Sequence, residues 1–232
     1  MKKIGIVIFV AALLLSVFIS SLFSFGRFTE KMFSFSFNSG IKGSGKLASE
    51  KRDVGRFSGV DVGGVFQVEI TAQKEFGIEI EADDNLLPLI KTEVRGGVLI
   101  IETEQKVSTN NPLRIRISAP NIDNIEASGA SKVTLAAVKN SKLRVDTSGA
   151  SKVNIDGETA NLTIEVSGAS AVDADNLRAE NANVDASGAS HVSVFAVNDL
   201  RSDASGASKI VYSGSPKNIE KKSSGASSIR EK

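Results

Sequence analysis

The chain has no cysteine, no tryptophan, one histidine and one tyrosine. Without cysteine there is no disulfide, no thiolate metal site and no lipid-modified N-terminal cysteine. With one histidine, any imidazole metal site or Ser-His-Asp arrangement would have to use His191. Neither charge sign is in excess. The 28 Lys plus Arg offset 27 Asp plus Glu in 232 residues, so no net field draws in nucleic acid. After Phe76 the only aromatics are Phe195 and Tyr212, which suits a narrow interior and leaves few platforms for sugar rings.

What the chain does have is a tetrapeptide, Ser-Gly-Ala-Ser, starting at Ser128, Ser148, Ser167, Ser187, Ser205 and Ser224. The steps are 20, 19, 20, 18 and 19 residues. A period near 19 is too short for a propeller blade or a helix-pair repeat and predicts an all-β solenoid of about 19 residues per coil. After each tetrapeptide, Val133, Val153, Val172, Val192 and Ile210 alternate with polar residues, Val211 being the exception. Before it, Ile125, Val145, Ile164 and Val184 do the same, with Ser202 departing in the fifth copy. Period-2 alternation on both sides of a fixed corner reads as strand, corner, strand, looser turn.

The corner glycines Gly129, Gly149, Gly168, Gly188, Gly206 and Gly225 are predicted to take positive φ. Coils about 4.8 Å apart also leave room only for small side chains in that column. Asn140, Asn161, Asn176, Asn198 and Asn218 are expected near the opposite turn. One coil buries too little to offset the entropy of ordering it, so the coils are stable only as a stack.

Glu126, Asp146, Glu165, Asp185 and Asp203 fall in one outward column. Lys132, Lys152, His191 and Lys209 fall in a partial basic column across the corner, placed to relieve the repulsion between stacked carboxylates. Repeated charged columns usually mark a solvated face. The sharper alternative is a divalent-cation column, because hard cations take several carboxylate oxygens. His191 replaces a lysine of that basic column and reads as a surface substitution. No serine has a dedicated base, and Gly43-Ser44-Gly45 lacks the Lys-Ser/Thr of a phosphate loop. No catalytic residue and no cofactor is therefore expected.

Four segments follow. Residues 1–26 hold Lys2 and Lys3 before the uncharged run 4–25, long enough for a membrane-spanning hydrophobic helix and also readable as a cleaved signal. Both readings export the rest of the chain. Residues 27–49 read as a spacer broken by Gly40, Gly43 and Gly45. Residues 50–127 are β-rich without the tetrapeptide and are expected to begin the stack and cover its first edge. A helical turn is expected within 83–90. Residues 128–232 carry the repeats, and Lys221, Lys222, Arg230, Glu231 and Lys232 charge the last coil.

Gly43-Ser44-Gly45, Arg56-Phe57-Ser58-Gly59-Val60, Ala82-Asp83-Asp84-Asn85-Leu86-Leu87-Pro88 and the Ser-Gly-Ala-Ser ladder together resemble the bacterial family called putative auto-transporter adhesin, head GIN domain. The resemblance covers about residues 43–230. It implies an exported right-handed parallel β-helix and offers no catalytic residues to carry over. The resulting expectation is an exported, membrane-anchored, non-enzymatic protein of the cell envelope or surface that adheres to an unknown partner and binds no nucleic acid. The alternatives are a polysaccharide-active enzyme and a purely structural envelope protein.

Overall fold

The computed structural model describes residues 40–232. The expected N-terminal hydrophobic helix falls outside the described residues. Among those described, the helical content is one short 3-10 turn, Leu87–Leu89, entered through Pro88, and no helix is long and apolar enough to cross a membrane. All other regular structure is β, wound into a solenoid of about five turns.

The repeat region consists of strands that run from one corner to the next: Lys132–Thr147, Lys152–Val166, Ala171–Ala186 and His191–Ala204. Each pairs in parallel with the next. In the first, Val133, Leu135, Val138, Leu143, Val145 and Thr147 point inward, and polar residues alternate outward on either side of the two bends. Register columns run straight through the stack, as in Val133, Val153, Val172, Val192, Ile210 and Ile229. The variation from 18 to 20 residues is taken up opposite the corner, where register shifts fall between Leu135/Val138, Asn154/Asp156 and Ala174/Arg178.

The corner cannot absorb that variation, because its backbone is in contact with its own copies. The six glycines have φ between 72° and 76°. A Cβ on Gly149 would lie 2.5 Å from the carbonyl oxygen of Gly129, and one on Gly168 would lie 2.6 Å from that of Gly149. Each corner is also hydrogen-bonded to the one below, as in Ala150 N–H to Gly129 O at 2.7 Å and Ala169 N–H to Gly149 O at 2.8 Å. The fourth corner serine points inward and is buried at Ser131, Ser151, Ser170, Ser190 and Ser208. These hydroxyls bond backbone carbonyls, as Ser151 Oγ does to Ser148 O at 3.0 Å; those of Ser170 and Ser190 have no partner among the described residues.

The asparagines near the opposite turn divide among register columns. Asn161, Asn181, Asp199 and Asn218 are the register partners, and Asn181 Nδ2 donates to Asn161 Oδ1 at 3.1 Å. Asn140 instead pairs with Thr159 and Asn176 with Asp156, because the bulges displace fixed-interval counting by one or more residues.

Below the repeats, stacking order departs from chain order. Strands Gly59–Gly64 and Phe66–Thr71 form a coil whose Gly63-Gly64 takes the place of Ser128-Gly129 in the column above. Beneath it lie Val98–Thr103 and Leu113–Ser118, which come later in the chain. The first edge is then closed by antiparallel strands: Ile90–Arg95 on Val98–Thr103, and Gly77–Asp83 on Leu113–Ser118, with Leu47–Arg52 outermost. Gly96 and Gly97, at φ 59° and 82°, make the hairpin turn.

Two polar clamps hold this cap. Arg52 donates from Nη2 to Leu87 O at 2.8 Å and from Nη1 to Ile90 O and Thr92 Oγ1. Asp83, 1% exposed, accepts from Thr109 Oγ1 and Asn111 Nδ2, both at 2.5 Å.

Candidate functional site

The residues before each corner set the geometry of one flank. Alternation sends Val145 and Thr147 inward and Asp146 outward, and the parallel register stacks that outward position from coil to coil. Glu126, Asp146, Glu165, Asp185 and Asp203 are consecutive register partners. Beside them run the first corner serines, Ser128, Ser148, Ser167, Ser187 and Ser205. Together they line an open groove of about 790 Å³.

Sequence reasoning stopped one rung short at each end. Asp61 is the register partner of Glu126, and Lys222 that of Asp203, so the ladder holds six acids and closes on a cation. Asp61 was legible in Gly59-Val60-Asp61-Val62-Gly63-Gly64, which repeats the alternation and glycine of the later coils without their serines.

The ladder is compensated from its own strand and not from across the corner. Arg144 spans two rungs, with Nε 2.8 Å from Asp146 Oδ2 and Nη2 2.9 Å from Glu165 Oε1. Asn124 Nδ2 donates to Glu126 Oε1 at 2.9 Å. Lys132, Lys152, His191 and Lys209 do stack in one column with Ala171, but none forms an ion pair with the acids among the described residues. A corner turn carries the basic column away onto another face of the coil.

The groove retains excess negative charge. Burial pushes the Asp61 carboxyl above its ordinary range, and Glu126 and then Glu102 add repulsion. Burial also raises Asp146, outweighing the opposing pull of Arg144. Such a surface attracts cationic groups, and its serine edge offers hydroxyl donors at the same repeat. The carboxylates line up side by side without converging. Among the described residues no group of three or more acids or histidines is placed to hold a metal ion. Among the described residues His191 has no carboxylate hydrogen-bonded to it, and burial followed by Lys209 lowers its pKa.

The family model for the putative auto-transporter adhesin, head GIN domain, matches residues 56–216, and the chain belongs to that family. Two solved structures share the fold. A putative adhesin from Bacteroides fragilis matches with a TM-score of 0.68 at 22% identity, covering 83% of this chain and 100% of its own. A putative adhesin from Parabacteroides merdae matches with a TM-score of 0.57 at 18% identity, covering 83% and 98%. Among curated proteins none matches.

Proposed function

We infer that this member of the adhesin head family is an exported, non-enzymatic scaffold that binds a partner of the cell envelope or surface through the acid-serine groove. The observation that carries this reading is the regularity of the groove: a carboxylate and a serine recur on each coil from Glu126 to Ser205, and no rung among them has the distinct base, nucleophile or ligand set that chemistry requires. A repeated row favours a partner that is itself extended and repetitive, with cationic or hydrogen-bonding groups, because several weak rungs then add. Export rests on the charged start and the uncharged run 4–25, and right-handed winding belongs to the same reading.

The test is attachment by cells carrying the full chain against cells carrying the variant with Glu126→Gln, Asp146→Asn, Glu165→Gln, Asp185→Asn and Asp203→Asn. Attachment to envelope or host surfaces should fall at least tenfold while the protein remains folded and displayed. Unchanged attachment overturns the groove. New reducing ends or unsaturated products from a polysaccharide panel would favour the enzyme instead.

A further inference from the structure

The last coil differs from those below it in what it buries. The strand His191–Ala204 places Val192, Val194, Ala196, Leu200 and Ala204 in the core. From Ser213 to Lys232 no residue is buried, and Ile219 is 45% exposed. Yet the strands Asn218–Ser223 and Ser228–Glu231 are in full register on Asp199–Ala204 and Lys209–Tyr212. Ser224 and Ala226 N–H also bond Ala204 and Gly206 O. Edge hydrogen bonds and charge therefore hold this coil in place of a core.

Three lysines supply the charge. Lys222 is the register partner of Asp203 at the end of the acid ladder, though its ammonium pairs with Glu220 of its own strand at 3.0 Å. Lys221 Nζ donates to the Tyr212 hydroxyl at 2.6 Å. Lys232 pairs with Asp175, whose other carboxylate oxygen accepts from Ser213 Oγ at 2.5 Å. The coil is entered through Gly214, at φ 93°, and Pro216, so it hangs from a bend with fixed direction.

A unit with complete backbone pairing and little burial opens at low free energy relative to the rest of a repeat stack. Opening exposes the upper edge of 199–212 and uncovers its apolar side chains Leu200, Ile210 and Tyr212. The segment that matches this edge in strand length, corner and charge is 215–232 itself. We propose that 215–232 is an exchangeable coil, which lifts from its own stack and seats on the same edge of a second copy of this chain. Lys232 and Lys221 select that occupant, because a strand without them leaves Asp175 without its cation and the Tyr212 hydroxyl without its donor.

Two full-length variants test this, Arg201→Cys and Glu220→Cys. These positions are register partners across the seam, both are exposed, and the chain has no other cysteine. Parallel neighbours at about 5 Å are within disulfide reach. The two variants are mixed, warmed, cooled and oxidised. A 201–220 linkage joining the two chains is expected in a dimer fraction. In the unmodified protein, amides of 218–231 should exchange about 100-fold faster than those of 132–204. Lys232→Ala should accelerate both exchange and linkage. Equal protection of the last coil and the coils below it overturns the proposal, as does oxidation that yields only 201–201 and 220–220 dimers or no dimer.

Discussion

Replacing Gly168 with alanine tests the physical basis of the corner. Gly168 has φ +72°, where an L-residue costs about 1–2 kcal/mol. The added Cβ would also lie 2.6 Å from Gly149 O, backbone that cannot rotate away. Relief requires the two coils to part, which strains the bonds from Ala169 N–H to Gly149 O at 2.8 Å and from Ser167 N–H to Thr147 O at 2.9 Å. At about 0.5–1.5 kcal/mol each, the total loss is about 2–5 kcal/mol. Gly96→Ala is the control, since Gly96 has φ +59° with no atom within 4 Å and should cost only the conformational part, about 1–2 kcal/mol. Gly225→Ala should be the mildest of the corner changes, because the contact is looser at 2.8 Å and no residue of that coil is buried. Urea denaturation followed by circular dichroism gives the comparison. If Gly168→Ala and Gly96→Ala lose the same stability, the contact between corners contributes nothing and the argument fails.

Other outcomes follow from the charged groups. Asp61→Asn should stabilise the fold by about 0.5 kcal/mol after solvent screening, since Asp61 faces Glu126 and Glu102. The folded carboxyl of Asp61 holds its proton to higher pH than the unfolded one. Its penalty is therefore absent below the ordinary value near 4 and grows as pH rises through the folded value; in Asp61→Asn that slope disappears from a stability-against-pH curve. Asp83 behaves in the opposite sense. Hydrogen bonds from Thr109 and then Asn111 lower it, so its contribution is full above the ordinary value and is lost as pH falls through the depressed one. Asp83→Asn should remove that part of the acid limb and lower the unfolding midpoint at neutral pH. Arg52→Lys should lose about 1–3 kcal/mol, because an ammonium cannot serve Leu87 O, Ile90 O and Thr92 together; a cap-specific rise in hydrogen exchange across 47–52 and 90–95 would locate the damage.

Much of the repeat stack was legible because its determinants are local. Alternation and a fixed glycine specify Val133 over Val153 and Asp146 over Glu165 with no knowledge of distant residues. The asparagines were legible only as lying near the far turn, because that turn takes up insertions whose register a period count cannot place. The compensation by Arg144 was hidden by the more conspicuous basic column across the corner, although two residues along a strand return to the same face. Asp61 went unassigned because its coil has Gly63-Gly64 where the others have serine and glycine. Apart from the hairpin at Gly96-Gly97, the cap and its reversed order of coils rest on partners 26 to 65 positions apart and left no periodic trace.

That reversed order bears on how the chain reaches its native state. Val60 touches Leu99 on one side and Ile125 on the other, whereas later rungs meet partners only 17 to 20 residues away. A growing or emerging polypeptide therefore has no flank for its first coil until both later segments arrive, and loop closure over those spans is the slow event. Once this seed has closed, each further rung is a short hop onto a ready template, so winding runs one way, toward Lys232.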